Sequence, residues 1–363
     1  MNIALIRRRF TPVGGGELYL QRLIDSLLTE NHTIELLSET WTAQESEGIR
    51  YHFIPGATSR ARRAVSFAEG VAQLLPTLKT DCVFSLERTF KQDIYRAGDG
   101  VHRVWLERQK AFAPFWRKPF CGRGAHHRNL LALERQTIHP ANTKFIIANS
   151  DMVRDEIVNL FPFPAERVRV IPNGVNLERF RTVDRHRARA QFGLTPSDFT
   201  LLFVGSGWER KGLKYTLQLL KDLQSSASRF PEPFRSVKLL VVGKGNAPLL
   251  GNPHTIYTGP IGEVELAYAA ANLLAFLPIY EPAANVVTEA LAARLPVLTS
   301  AQNGAAEWIK DARNGEVVDS PKNRAATLEA ALRLMHADAP PAPADSLSMD
   351  RNVADTLSLI QQI

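Results

Sequence analysis

The feature that most limits what this chain can fold into is an alternation, met twice, of short apolar runs with segments of helical periodicity. In the first half Asn2–Ile6, Thr33–Leu37, Cys82–Leu86, Asp93–Ala97 and Phe145–Ala148 read as strands. Leu18–Leu28 and Met152–Phe161 read as helices, the second with Ser150 as its N-cap. Val168 to Gly174, with Pro172-Asn173-Gly174 at its end, interrupts the series as a turn and is expected to form an interdomain hinge. The alternation then restarts, with strands at Phe199–Val204, Val237–Val242, Leu273–Leu277 and Val297–Leu298. Helices are expected at Tyr215–Leu223, Val264–Ala271, Val287–Ala293 and Arg324–Met335. Strands that alternate with helices pair in parallel and are covered on both faces. The expected fold is therefore α/β, with two Rossmann-like domains whose parallel sheets face each other across a cleft, and a ligand crevice at the strands' carboxyl ends. The boundaries that follow are 1–172, 173–345, and a terminal segment 346–363 whose helix, Val353–Ile360, packs back on the first domain. Ala339-Pro340-Pro341-Ala342-Pro343 is a rigid connector ahead of it. With 363 residues, 45% of them hydrophobic, the chain has enough apolar surface for two cores.

Composition excludes several classes. No apolar run approaches the roughly 18 residues of a membrane-spanning helix. Met1–Ile6 runs directly into Arg7, Arg8 and Arg9, which suits a buried first strand better than a signal-peptide core and points to the cytoplasm. Cys82 and Cys121 show neither pairing nor metal spacing, and the neighbours His126 and His127 point in different directions, so no metal is expected. The net charge is +7, and its excess is local: residues 103–128 hold seven basic residues and one acid. Lys110, Arg117, Lys118 and Arg123 there are interleaved with Trp105, Phe112, Phe115, Trp116 and Phe120. Aromatic wedges beside cations suit an anionic bilayer surface. A basic surface over core aromatics is the competing explanation. No nucleic-acid motif accompanies the segment, and no nucleic-acid partner is expected.

Three motifs carry the chemistry. Gly14-Gly15-Gly16 follows the first strand and opens the first helix, where backbone N–H groups and the helix dipole favour a phosphate. It lacks the GxGxxG spacing, and no acid follows at the distance that reads a nicotinamide ribose, which counts against a dinucleotide-dependent oxidoreductase. In the second half the strand ending at Val204 is followed by Gly205-Ser206-Gly207 and then Arg210-Lys211-Gly212. Two cations in a glycine-rich strand end suit a diphosphate. Finally, Glu281 and Glu289 lie eight positions apart in Glu281-Pro282-Ala283-Ala284-Asn285-Val286-Val287-Thr288-Glu289. A helix starting near Asn285 would offer the N–H groups of Val286 and Val287 to a phosphate, with Glu281 ahead of it toward a sugar and Glu289 one turn in, toward ribose hydroxyls.

The two glutamates, followed by Glu289-Ala290 and Leu295-Pro296-Val297, resemble the motif of the retaining GT-B glycosyltransferases of family 4 (GT4). Ile171-Pro172-Asn173-Gly174-Val175, Arg210-Lys211-Gly212 and Tyr257-Thr258-Gly259-Pro260 fall in the same family order, and the type is most similar to lipopolysaccharide-core glucosyltransferases. The resemblance implies a GT-B fold, an N-terminal acceptor domain and a C-terminal nucleotide-sugar domain. It further implies retaining, metal-independent hexosyl transfer with a UDP-sugar as donor substrate, and a glycan or lipid-linked acceptor such as lipopolysaccharide core, reached from the inner face of the cytoplasmic membrane. Glu281, Arg210, Lys211 and Asp99 would be catalytic, Asp99 because Tyr95-Arg96-Ala97-Gly98-Asp99-Gly100 matches the family's His- or Asp-bearing strand end. Gly14, Gly15, Gly16, Gly205, Ser206, Gly259, Ala284, Asn285, Val286, Val287 and Glu289 would line the donor. Two departures stand out: Arg294 occupies a usual glycine position, and Ala284-Asn285 replaces a common Phe-Gly pair. A non-catalytic sugar-nucleotide-binding protein would keep the same donor site and differ only in turnover.

Overall fold

Strand β1 (Asn2–Ile6) is buried on both faces from Ile3 to Ile6, the pattern of a central strand in a sheet covered by helices on both sides. The structure, a computed structural model, describes residues 1–9, 15–41, 47–246, 252–337, 340 and 345–363. Gly14 and most of the connector 339–343 lie outside the described residues.

The chain divides into two units, Met1–Gly174 with Met349–Ile363, and Val175–Ser348. In the first, β1 is followed by α1 (Gly15–Thr29), β2 (Thr33–Ser38), β3 (Ile49–Phe53), α2 (Arg63–Leu74), β4 (Cys82–Ser85) and β5 (Gln92–Arg96). Then come α3 (His102–Phe112), α4 (Ala125–Thr137), β6 (Thr143–Ala148), α5 (Asp151–Leu160) and β7 (Val168–Val170). The strands pair in parallel in the order β3-β2-β1-β4-β5-β6-β7. Ser150 caps α5 by accepting from the Val153 N–H at 3.2 Å. The segment expected to interrupt the series begins as a strand: Val168–Val170 is in register with Ile146–Ala148, and the residues after it, with Pro172-Asn173-Gly174, leave the sheet.

The second unit comprises α6 (Leu177–Arg181), α7 (Arg185–Gln191), β8 (Asp198–Val204), α8 (Trp208–Lys211), α9 (Leu213–Gln224), β9 (Ser236–Val242) and β10 (Thr255–Gly259). It continues with α10 (Val264–Ala270), β11 (Leu273–Phe276), α11 (Asn285–Ala292), β12 (Val297–Ser300), β13 (Gly315–Val318) and α12 (Arg324–Met335). Its parallel order is β10-β9-β8-β11-β12-β13. The last helix, α13 (Met349–Ile360), lies in the first unit against α1. There Arg22 pairs with Asp350 at 2.8 Å, and the Asn352 amide donates to the Pro172 carbonyl.

Both sheets run outward in two directions from a first strand, so each has a point where the strand order reverses: between β1 and β4, and between β8 and β11. Loops leaving the carboxyl ends of those two strands diverge and open a crevice, which is where ligands bind in open α/β sheets.

Candidate active site

At the reversal point of the second unit, β8 gives way to Gly205-Ser206-Gly207 and then to the single turn α8, which carries Arg210 and Lys211. Gly212 ends that turn at φ +80°, and a Cβ there would stand 1.7 Å from the Leu277 carbonyl oxygen. Only glycine lets the chain pass this close to the end of β11. Gly205, at φ +141°, likewise leaves room for the Lys211 side chain, whose Nζ would come within 2.8 Å of a Cβ. Lys211 Nζ lies 5.8 Å from the centre of the Phe276 ring. Ser206 Oγ accepts from the Lys244 N–H at 3.1 Å, and the Gly259 carbonyl accepts from the Gly243 N–H at 3.0 Å, which ties the ends of β8, β9 and β10 together.

The residues after β11 meet that turn directly. The Arg210 guanidinium donates to Glu281 Oε2 at 2.7 Å and to the Tyr280 carbonyl at 3.1 Å, while the Arg210 carbonyl accepts from the Ile279 N–H at 2.9 Å. The structure thus joins, as one ion pair, two residues that the sequence singled out separately. Glu281 is fixed by its backbone, donating to Gln302 and accepting from Gly304. Asn303, 2% exposed, accepts from the N–H groups of Ala305 and Ala284 and donates to Thr299. It sets the entry into α11, and no sequence pattern announced it.

One expectation for α11 is corrected. The Val287 N–H is not free at the helix start: it donates to the Ala284 carbonyl at 3.0 Å, because the first turn is tightened to an i→i−3 bond. Asn285 and Val286 remain in the first turn, Val286 buried. Glu289, one turn on, is partly buried, and its Oε2 accepts from the Tyr268 hydroxyl at 2.5 Å. Burial raises the Glu289 carboxyl above its ordinary range, opposed by the Tyr268 hydrogen bond and by the charges of Arg179 and Lys211.

In the first unit Gly15 and Gly16 are the first residues of α1. Asp99 is exposed in the turn after β5, between hydrogen bonds from Gly98 to Arg96 and from Gly100 to Ala97. That turn is held from behind by residues the sequence did not single out. Arg88 donates to the Gly100 carbonyl at 2.9 Å and pairs with Glu134 at 3.1 Å. Glu134, 1% exposed, accepts from the N–H groups of His102 and Arg103 and so caps α3 from a neighbouring helix. His102 meets His127 at 3.1 Å, and burial together with the Arg88 charge pushes its imidazole down to about 4. Across the reversal point of this sheet Arg7 pairs with Glu87 at 3.3 Å; burial raises the Glu87 carboxyl, which Arg7 offsets in part.

Beyond α3 the chain turns outward. Phe115, Trp116 and Phe120 are 79%, 61% and 75% exposed, and Lys110, Arg117, Lys118 and Arg123 are exposed around them. Trp105 and Phe112 are instead half-buried. Among the described residues, no group of three or more His, Cys, Asp or Glu is placed to hold a metal, and no helix is long and apolar enough to cross a membrane.

Comparison with known proteins joins these observations. The model of the family "Glycosyltransferase Family 4" matches residues 13–179, and that of "Glycosyl transferases group 1" matches residues 184–346. The lipopolysaccharide glucosyltransferase WaaG of Escherichia coli is 26% identical over 88% of this chain and 86% of its own. The crystal structure of WaaG, described as a glycosyltransferase involved in lipopolysaccharide biosynthesis, superposes with a TM-score of 0.74 at 22% identity, covering 99% of this chain and 96% of that one. The Anabaena HepE structure in complex with UDP and glucose superposes at 0.65 with 15% identity, over 98% and 99% of the two chains. With matches running from residue 13 to residue 346 and a fold shared along the whole length, the chain is a GT-B glycosyltransferase related to the family 4 enzymes and to the lipopolysaccharide-core glucosyltransferases.

Proposed function

We propose that this enzyme transfers a hexosyl group, with retention, from a UDP-sugar to a membrane-anchored glycan of the lipopolysaccharide-core type. The observation that carries the reading is the Arg210–Glu281 pair at the reversal point between β8 and β11, with Lys211 beside it. A departing nucleoside diphosphate needs its developing charge met by fixed cations, and Arg210 and Lys211 supply two. Glu281 orients hydroxyls of the donor sugar, and Glu289 receives those of the ribose. Gly205, Ser206, Gly259 and the start of α11 line the rest of the donor site, so the second unit is the donor domain. Gly15 and Gly16, at the N-terminus of α1, add donors toward phosphate or sugar. The first unit, with Asp99 at a strand end, takes the acceptor. Because protein cations do the neutralising, transfer proceeds without a divalent metal.

WaaG, named as a lipopolysaccharide glucosyltransferase, and HepE, seen with UDP and glucose, favour this donor and acceptor. The exposed Phe115, Trp116 and Phe120 amid four basic side chains support peripheral attachment to the anionic inner face of the cytoplasmic membrane.

The test is a panel of nucleotide sugars offered with truncated lipopolysaccharide, in the presence of EDTA, with product anomers read by NMR. Transfer from a UDP-hexose with retained configuration is expected. Transfer only from a different nucleotide's sugars, inverted product, or activity restored only by Mg²⁺ or Mn²⁺ would each refute the corresponding part.

A further inference from the structure

Tyr268 lies on α10 and is 1% exposed. Its ring packs edge-on against Phe180, with centroids 5.3 Å apart, inside the apolar core of the second unit. A phenylalanine would fill that space equally well. What tyrosine adds is a hydroxyl, and that hydroxyl donates to Glu289 Oε2 at 2.5 Å. A polar group is carried into a core only where a partner answers it, and here the partner is a residue of the donor site.

An ionised carboxylate accepts at about four lone-pair positions. One donor held on Oε2 restricts rotation of the group and leaves Oε1, with the second lone pair of Oε2, to accept from a ligand. Among the described residues, three groups on neighbouring elements bear on Glu289: Tyr268 from α10, Lys211 from α8 and Arg179 from α6. Arg179 is already paired with Glu265 at 2.7 Å, and Lys211 is committed to the diphosphate on the reading above. The Tyr268 hydroxyl is the contact that orients the carboxylate.

We propose that Tyr268 is a positioning residue for donor recognition: by holding Glu289 it aims the carboxylate at the vicinal hydroxyls of the nucleotide ribose. The inference rests on the proposed role of Glu289. Two hydroxyls on adjacent carbons can be met by one carboxylate only if its plane is set, so the benefit of Tyr268 should appear with a ribose diol and vanish without one.

The test is calorimetric titration of the full chain and of Tyr268→Phe with UDP and with dideoxy-UDP, which lacks both ribose hydroxyls. Wild type should prefer UDP by about a hundredfold, two hydrogen bonds to a charged group being lost together. Tyr268→Phe should cut that preference about tenfold and leave dideoxy-UDP affinity within about twofold. Its turnover at saturating donor should be unchanged while the donor KM rises. Equal weakening toward both ligands, with the preference intact, would make Tyr268 a packing residue and overturn the proposal. A wild-type chain, or a Glu289→Gln variant, that fails to show the expected preference and its loss would instead overturn the reading of Glu289 itself.

Discussion

Glu134→Ala should be among the most damaging single changes in the first unit, although Glu134 lies outside the glycine, cation and paired-glutamate motifs. The wild-type carboxylate is 1% exposed, and its partner Arg88 has a side chain only 12% exposed. Removing one member of a buried pair strands the other, at about 3–5 kcal/mol. The His102 and Arg103 N–H groups, received at 2.6 and 3.2 Å, lose their acceptor as well, and an unmade helix cap costs about 1 kcal/mol. Arg88 keeps its bond to the Gly100 carbonyl, which limits the sum to about 4 kcal/mol. For a unit of this size that corresponds to a Tm lower by roughly 10 °C. Glu134→Gln preserves volume but offers one oxygen where two serve, so it should fall between. Urea unfolding followed by circular dichroism measures the total, and amide exchange at His102 and Arg103 localises it. A loss below about 1 kcal/mol with unchanged protection of those two amides would refute the account of the cap.

Arg117, Lys118 and Arg123 changed together to Ser should strongly reduce co-sedimentation with anionic vesicles at low salt and leave the weak binding to neutral vesicles unchanged; wild-type binding that ignores salt and headgroup would rule out electrostatic attachment. Arg294 sits at φ +54° and donates to the Pro340 carbonyl at 2.9 Å; Arg294→Gly trades relieved backbone strain for a lost hydrogen bond and should stay within about 1 kcal/mol of wild type, while Arg294→Val, β-branched in the left-handed region, should lose about 2–3 kcal/mol in urea unfolding. The His102 imidazole is held down to about 4 from its ordinary 6.5, so between those values the unfolded chain binds a proton that the folded chain refuses. Stability should therefore fall as pH drops through that window, and His102→Gln should flatten the fall.

The central strands were legible because burial on both faces leaves continuous apolar runs, as in Ile3–Ile6 and Leu201–Val204. Edge strands were not. Ile49–Phe53 contains Arg50 and His52 and exposes Phe53 by 73%, and Gly315–Val318 opens on a glycine. Helix α3 escaped because only Val104 of its eleven residues is buried, so it has no apolar stripe to show. In the site, glycines and charges at strand ends were visible one by one, since the crevice needs them at fixed offsets from apolar strands. Their pairing was not, because Arg210 and Glu281 are 71 positions apart and are brought together by the order in which strands are laid into the sheet. Tyr268, Arg88 and Glu134 act through other residues and carry no local pattern.

The Arg210–Glu281 pair bears on the order of events at the donor site. Its Arg210 side chain is 35% exposed and its Glu281 side chain 12%, so water reaches the guanidinium and the pair is held less firmly than a fully buried one. A diphosphate brings more negative charge to the guanidinium than one carboxylate does, which favours exchange of Arg210 from Glu281 to the donor. On the proposed reading, donor arrival therefore does two things at once: it engages Arg210 and releases Glu281 toward the sugar. Glu281→Ala tests this in a way that simple loss of a contact cannot mimic. UDP, which has no sugar for Glu281 to hold, should bind the variant at least as tightly as wild type, because Arg210 no longer has to be drawn from its partner. Turnover of a UDP-hexose at saturation should drop by two orders of magnitude or so, the loss of one preorganised charged contact at the reacting centre. Weaker UDP binding by Glu281→Ala would mean that Glu281 holds Arg210 in place for the diphosphate and that the two residues act together throughout.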